Sequence, residues 1–243
     1  MVSTREAEGV PEGDPVEKQR YQRLVGRLIY LSHTRPDIGF AVSYVSQFMH
    51  NPKQCHMDAV YRILRYLKKS PGKGILFQKH DDRNIVMFSD ADWAGSRIDR
   101  RSTTGYCSFV WGNLVTWRSK KQPVVSRSSA EAEFRALSLA TCEGIWIRRM
   151  MAELKMPYHE SVILNCDNQA AISIAKDPVH HDRTKHVEID RHFIAEKIKS
   201  TEVLLQYTPT RVQLADILTK ALIGPNFDEI CNKLGMYDIY VPT

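Results

Sequence analysis

IVMFSDADWAG (85–95) is the stretch on which the fold turns. Ile85 to Phe88 form an unbroken apolar run into Ser89 and Asp90, the pattern of a buried strand that delivers a carboxylate at its end. Asp92 falls on the same strand face as Asp90 but further out, because strand side chains alternate. VILNCD (162–167) repeats the grammar, an apolar run followed by Asp167. If the two strands are neighbours in one sheet, both aspartates emerge at the same edge. Taken singly, each has a plainer job: Asp90 can start a turn, and Asp167, just before Asn168, can cap a helix.

Outward from these strands the pattern predicts the rest of a domain. Residues 104–111 and 114–117 flank Gly112-Asn113, a two-residue hairpin signal. A long helix is predicted from 128 to about 154, with Phe134, Leu137, Thr141 and Ile145 stepping along one face. Short helices at about 168–176 and 187–199, a strand at 203–207 and a final helix at 211–222 complete the order. Three strands, a helix, a strand, helices, a strand and a helix predict an α/β fold, a mixed sheet with helices packed on its faces.

Upstream, residues 1–18 lack periodicity and carry Gly, Pro and acids, so they read as a flexible leader. A helix from about 21 is ended by Arg35-Pro36, a second (37–49) stops at Asn51-Pro52, and a third (54–67) closes at Ser70-Pro71-Gly72. This three-helix unit contains no acid cluster suggestive of catalysis.

The long helix offers Glu131 and Glu133, roughly 200° apart around its axis, so only one can face the sheet. Ser128 with Glu131 fits a capping box, which gives Glu131 a local job and leaves Glu133 for chemistry beside Phe134 and Leu137. Thr210 and Gln213 fit a second capping box, leaving Asp216 among Leu214, Ile217 and Leu218. An aspartate there gains little from the helix dipole and has poor helix propensity. A cation would give it a partner. Three aspartates and one glutamate, with no His or Cys at ligand spacing, favour a hard cation, Mg²⁺ or Mn²⁺. Two such ions about 3.5–4 Å apart can activate water and stabilise both oxygens of a phosphodiester displacement.

The charge balance agrees with a nucleic-acid partner without requiring one. Net charge is +6 with pI near 9.0. Between residues 97 and 127 stand Arg97, Arg100, Arg101, Arg118, Lys120, Lys121 and Arg127 against the single acid Asp99, interleaved with Tyr106, Trp111 and Trp117. Such a stretch can neutralise phosphates and pack on sugars or bases. It reads equally as a solvated hairpin with its aromatics in the core. The five cysteines are scattered and never spaced as CxxC, and no apolar run is long enough to span a membrane. With no apolar signal segment at the N-terminus, the expected location is intracellular, in cytoplasm or nucleus.

These residues also resemble a known family. FSDADWAG (88–95), RRSTTGYCSFVWG (100–112), WRSKKQPVVSRSSAEAEFRAL (117–137), CDNQAAISIA (166–175), RTKHVEIDRHFIAEK (183–197) and QLADILTKAL (213–222) are similar to the ribonuclease H region of Copia-type LTR-retrotransposon polyproteins. YQRLVGRLIYLSHTRPDIGFAVSYVSQFMHNP (21–52) and YRILRYLKKSPGKGI (61–75) resemble the C-terminal end of that family's reverse transcriptase. The resemblance implies a ribonuclease H-like fold, with a five-stranded mixed sheet and flanking helices, preceded by a small helical segment. It implies two-metal cleavage of the RNA strand of an RNA–DNA hybrid, with Asp90, Glu133, Asp167 and Asp216 as the metal-holding catalytic acids. The expected organisation is a leader (1–18), a reverse-transcriptase remnant (19–75), the nuclease (76–225) and a C-terminal tail (226–243), with monomer as the default state.

Two features depart from the family pattern. Many ribonucleases H carry a histidine in a loop before the last helix, but residues 207–211 have none, leaving Arg211 as the phosphate contact expected there. His186 and His192 read as structural or surface groups. No YxDD-like polymerase motif is present, so no DNA synthesis is expected. The candidate nucleic-acid contacts are Arg100, Arg101, Trp117, Lys120, Lys121, Arg127 and Arg211. The competing readings are a binding module that keeps the fold without turnover, and an integrase- or resolvase-like nuclease acting on DNA. The helix glutamate between the first two aspartates speaks against the second.

Overall fold

A computed structural model describes residues 13–176 and 188–240. The chain divides into two compact units, Met1–Phe77 with Ile217–Thr243, and Gln78–Asp216.

The second unit is built on a five-stranded sheet. Its strands are β2 (Ile85–Asp92), β3 (Thr103–Val110), β4 (Asn113–Lys121), β5 (Val162–Cys166) and β6 (Val203–Tyr207), in spatial order β4-β3-β2-β5-β6. β3 runs antiparallel to both β2 and β4, whereas β5 is parallel to β2 and to β6. The helices are α4 (Ser129–Glu153), α5 (Gln169–Lys176) and α6 (Glu188–Lys199). This strand order with these connections is a ribonuclease H-like fold. The adjacency of β2 and β5 is the one on which the sequence argument depended, and it is present.

Alternation sorts the strand residues. Met87, Leu164 and Cys166 join Phe134, Leu137 and Ala140 of α4 in the main core. Phe88, Asp90 and Asp92 therefore project from the opposite sheet face. Gly144 lets α4 approach closely, since a Cβ there would stand 2.9 Å from Met87 Sδ and 3.1 Å from Val162 Cγ1.

The hairpin differs by one residue from the expected turn. Trp111 and Gly112 are the turn residues, at φ 53° and 75°, and Asn113 already pairs with Val110. The Asn113 amide explains the shift: it donates to the Gln78 and Trp111 carbonyls, and its oxygen accepts from the Gln78 amide at 2.8 Å. The expected final helix at 211–222 is also different. Thr210–Val212 and Leu214–Leu218 are two short 3-10 turns.

The first unit contains α1 (Lys18–Leu31), α2 (Gly39–Ser46) and α3 (Gln54–Lys69), packed through Tyr21, Val25, Val42, Val45, Val60 and Ile63. Its centre is polar as well. Arg35 grips Asp37 through Nε at 2.9 Å and Nη2 at 2.7 Å, and the Tyr66 hydroxyl donates to the same carboxylate at 2.6 Å. The expected C-terminal tail holds regular structure among its described residues. α7 (Gly224–Lys233) and β7 (Met236–Asp238) belong to this unit, and β7 pairs antiparallel with β1 (Lys73–Ile75). The expected leader falls largely on residues 1–12, outside the described ones; Pro15 already bridges to Lys53.

Candidate active site

At one end of the five-stranded sheet, β2 and β5 present their aspartates beside the first turns of α4. Asp90 is buried, and it lies within β2, opposite Gly105, because β3 continues alongside as far as Asp92. Asp167 directly follows β5 and is half-buried. Glu133 enters from α4, 5% exposed, and its Oε1 accepts from the Ala91 amide at 3.2 Å. That bond ties the helix acid to the strand residue next to Asp90.

The division of labour between the two glutamates follows the helix geometry. Ser128 Oγ accepts from the Glu131 amide at 3.2 Å, the expected N-cap. The reciprocal arm reaches one residue further back, to the Arg127 amide at 2.8 Å, and Glu131 also pairs with Arg135 at 3.0 Å. Glu131 is thus committed locally, and Glu133 is the acid that meets the aspartates.

Electrostatics mark the cluster as unusual. Burial first, then the neighbouring Asp90 and Asp167 carboxylates, push the Glu133 carboxyl up to about 9. Glu133 and Asp90 stand within hydrogen-bonding reach of each other, yet Glu133 Oε2 is buried with no donor directed at it. Ligand atoms of Glu133, Asp167 and Cys166 all lie within 4.8 Å of one another. Cys166 is an unforeseen neighbour, brought in by its place on the α4 side of β5. Burial, and then Glu133, hold its thiol protonated. A protonated thiol is a poor ligand for a hard cation, for which the carboxylate oxygens are the better-suited donors. Close carboxylates that cannot all ionise alone, with an orphaned oxygen among them, are a donor set suited to a hard divalent cation.

Asp216 lies on a segment that its neighbours tie to this region. It is buried on the 3-10 turn Leu214–Leu218, and the preceding Gln213 donates through Nε2 to the Ser89 carbonyl at 3.0 Å. Gln213 Oε1 accepts from the Ala215 amide at 3.3 Å. Thr210 does not cap a helix. Its hydroxyl donates to Asp167 Oδ2 at 2.7 Å. The segment carrying Asp216 is thereby fastened to β2 beside Asp90 and to Asp167 itself. Sequence periodicity missed both positioning side chains, since a Thr and a Gln three residues apart read as a local box.

The candidate nucleic-acid contacts separate. Arg100, Lys120, Arg127 and Arg211 are exposed. Lys121 is engaged with Asp99 at 2.9 Å and Ser96 at 2.9 Å, and Arg101 lies 3.6 Å from the same Asp99. Trp117 is half-buried on β4 opposite Cys107. By alternation Trp117 and Lys121 share the sheet face of Asp90, whereas Lys120, opposite Thr104, lies on the α4 face. His192 is exposed, and His186 lies outside the described residues.

A cavity of about 250 Å³ in the first unit is lined by Phe40, Ile63, Tyr66, Leu222 and Phe227 among others, and by none of the four acids. The lining also includes Asp37, Arg62, Lys220 and Asp228. No described helix is long and apolar enough to cross a membrane.

The chain is 41% identical over 223 residues to the retrovirus-related Pol polyprotein from transposon RE1 of Arabidopsis thaliana, a match covering 92% of this chain and 15% of that protein. The RE2 polyprotein of the same plant is 39% identical over 226 residues, covering 93% and 15%. The chain therefore spans a small part of the curated relatives it matches. Among solved structures, LC11-RNase H1, isolated from compost, aligns with a TM-score of 0.43 at 17% identity, covering 57% of this chain and 94% of that one. No protein-family model matches the chain.

Proposed function

Because the chain belongs to the Copia-type retrotransposon Pol polyproteins, we propose that it is a ribonuclease H, an endonuclease cutting the RNA strand of RNA–DNA hybrids with divalent cations held by Asp90, Glu133, Asp167 and Asp216. The observation that carries this reading is Glu133, a buried carboxyl whose charge the neighbouring Asp90 and Asp167 disfavour and whose oxygen lies within 4.8 Å of one of Asp167. Bound Mg²⁺ or Mn²⁺ supplies an activated water and charge neutralisation at the phosphodiester.

The chain's own residues do the positioning. The Ala91 amide aims Glu133, Thr210 sets the orientation of Asp167, and Gln213 fastens the Asp216 segment to β2. Arg100, Lys120, Arg127 and Arg211 are exposed cations suited to phosphates, and hybrid selectivity would come from 2′-hydroxyl contacts. The α1–α3 unit corresponds to the end of a reverse transcriptase and carries no polymerase acids, so no primer extension is expected from this chain.

The experiment is a direct comparison. Labelled RNA–DNA hybrid is incubated with Mg²⁺ or Mn²⁺ and either wild type or Asp90→Asn. Metal-dependent cutting of the RNA strand, abolished by the substitution, is the expected result. Binding without cutting would leave a nucleic-acid-binding module, and equal cutting of duplex DNA would point to a DNA nuclease of related fold.

A further inference from the structure

Trp93 follows β2 immediately, three residues beyond Asp90, and it is 48% exposed. A large aromatic left half in water beside a cluster of buried acids needs a reason. Ordinary surface mobility is not one, because the ring is anchored. Its Nε1–H donates to the Ser126 carbonyl at 3.0 Å. Ser126 is itself buried, and its hydroxyl donates to Gln122 Oε1 at 2.9 Å. Gln122, also buried, donates through Nε2 to Thr104 Oγ1 and to the Ala132 carbonyl, each at 3.0 Å. Ala132 is the residue before Glu133. A continuous buried relay therefore connects the exposed indole to the turn of α4 that carries the central acid.

The backbone holds the same geometry. Ala94 adopts φ 54° and donates its amide to Ser102 Oγ at 3.1 Å, turning the chain sharply away from β2. A Cβ at Gly95 would meet the Asp92 carboxylate, which would have to move aside. Around the Ser126 carbonyl that holds the indole, Val124 and Val125 are 43% and 51% exposed and Arg127 is exposed. The bond to Ser126 thus puts an aromatic face on the same rim as a segment with two exposed apolar side chains and a cation.

We propose that Trp93 is a fixed contact surface for the hybrid, its indole packing against a nucleotide beside the cut. The bases of a hybrid are already paired and stacked, so the face open to an indole beside the cut is that of a sugar, and a ring already immobilised loses little entropy on binding. Arg127 adds a phosphate contact from the same rim. This assignment rests on the ribonuclease H reading for its substrate, but its test does not require turnover.

The test measures fluorescence anisotropy of a fluorescein-labelled RNA–DNA hybrid with the full chain in an Asp90→Asn background. Trp93→Ala is expected to raise Kd by about tenfold, the lower part of the range for losing one aromatic contact to a nucleotide. Trp93→Phe, which keeps an aromatic face but not the anchoring N–H, falls between. In the cutting-competent chain the loss appears chiefly in KM. An unchanged Kd in Trp93→Ala overturns the proposal. So does a loss as large in Phe as in Ala, or one accompanied by a lowered Tm, since either assigns the ring to structure. A parent chain that binds no hybrid overturns both this and the functional reading. Hybrid cutting by wild type, with Trp93→Ala at parental affinity, overturns this one alone.

Discussion

Thr210 donates its hydroxyl to Asp167 Oδ2 at 2.7 Å across 43 positions of sequence. A carboxylate so held keeps one orientation for a cation, and the loss of such outer contacts typically costs about 10–100-fold in metal affinity. Thr210→Val should therefore weaken Mn²⁺ binding, measured by calorimetric titration, into that range, and Thr210→Ser should restore it. Equal affinity in all three proteins would remove Thr210 from the site.

Glu133 predicts how metal-free stability depends on pH. Its carboxyl sits at about 9 in the folded chain against an ordinary 4.5, because burial and the two aspartates disfavour its charge. The folded state thus holds a proton that the unfolded state releases. Its contribution is complete below about 4.5 and is lost as pH rises through about 9. In chelator, Tm should fall across that window, and Glu133→Gln should flatten the fall. The same slope in both proteins would refute the assignment.

Divalent cation should reverse that trend. A ligand bound only by the folded chain at 100 times its Kd stabilises by about 2.7 kcal/mol. Mn²⁺ should raise Tm more at pH 8 than at pH 6, and Asp90→Asn should abolish most of the rise. Thermal melts with and without metal decide it; a rise that survives Asp90→Asn would place the cation elsewhere.

Asp37 is expected to be the costliest single position in the helical unit. Its carboxylate accepts from Arg35 Nε and Nη2 and from the Tyr66 hydroxyl, and the Arg35 and Asp37 side chains are 6% and 0% exposed. Asp37→Ala would leave a buried guanidinium without its counter-charge, a change that costs about 3–5 kcal/mol. Chemical denaturation followed by tryptophan-independent circular dichroism checks the figure, and a loss under about 1 kcal/mol would contradict the pair's importance.

Lys120 and Lys121 should behave differently despite being neighbours. Lys120 is exposed, whereas Lys121 is engaged with Asp99 and Ser96. Lys120→Ala should lower the salt slope of hybrid binding by about one, as expected for one phosphate contact. Lys121→Ala should change the slope less and loosen the Asp99 loop. Reversed slopes would exchange the two roles.

Local pattern carried much of this protein. The apolar runs before Asp90 and Asp167, the angular separation of Glu131 from Glu133 and the cap at Ser128 are all legible because strand and helix periodicities involve residues two to four apart. That range explains what the pattern could not reach. Thr210 and Gln213 resemble a local capping box, but they spend their side chains on Asp167 and Ser89, 43 and 124 positions away, and the segment becomes two 3-10 turns instead of a helix. The hairpin turn moved to Trp111-Gly112 because Asn113 bonds Gln78, 35 positions earlier. Residues 236–238 form a strand only because β1 offers an edge to pair with. The sequence alone determined which residues are apolar, which acids lack a local partner and where the strands of the five-stranded sheet and the long helix lie. Only the tertiary structure decided which side chains hold those acids in place, because each such bond joins groups whose separation along the chain leaves no periodic trace.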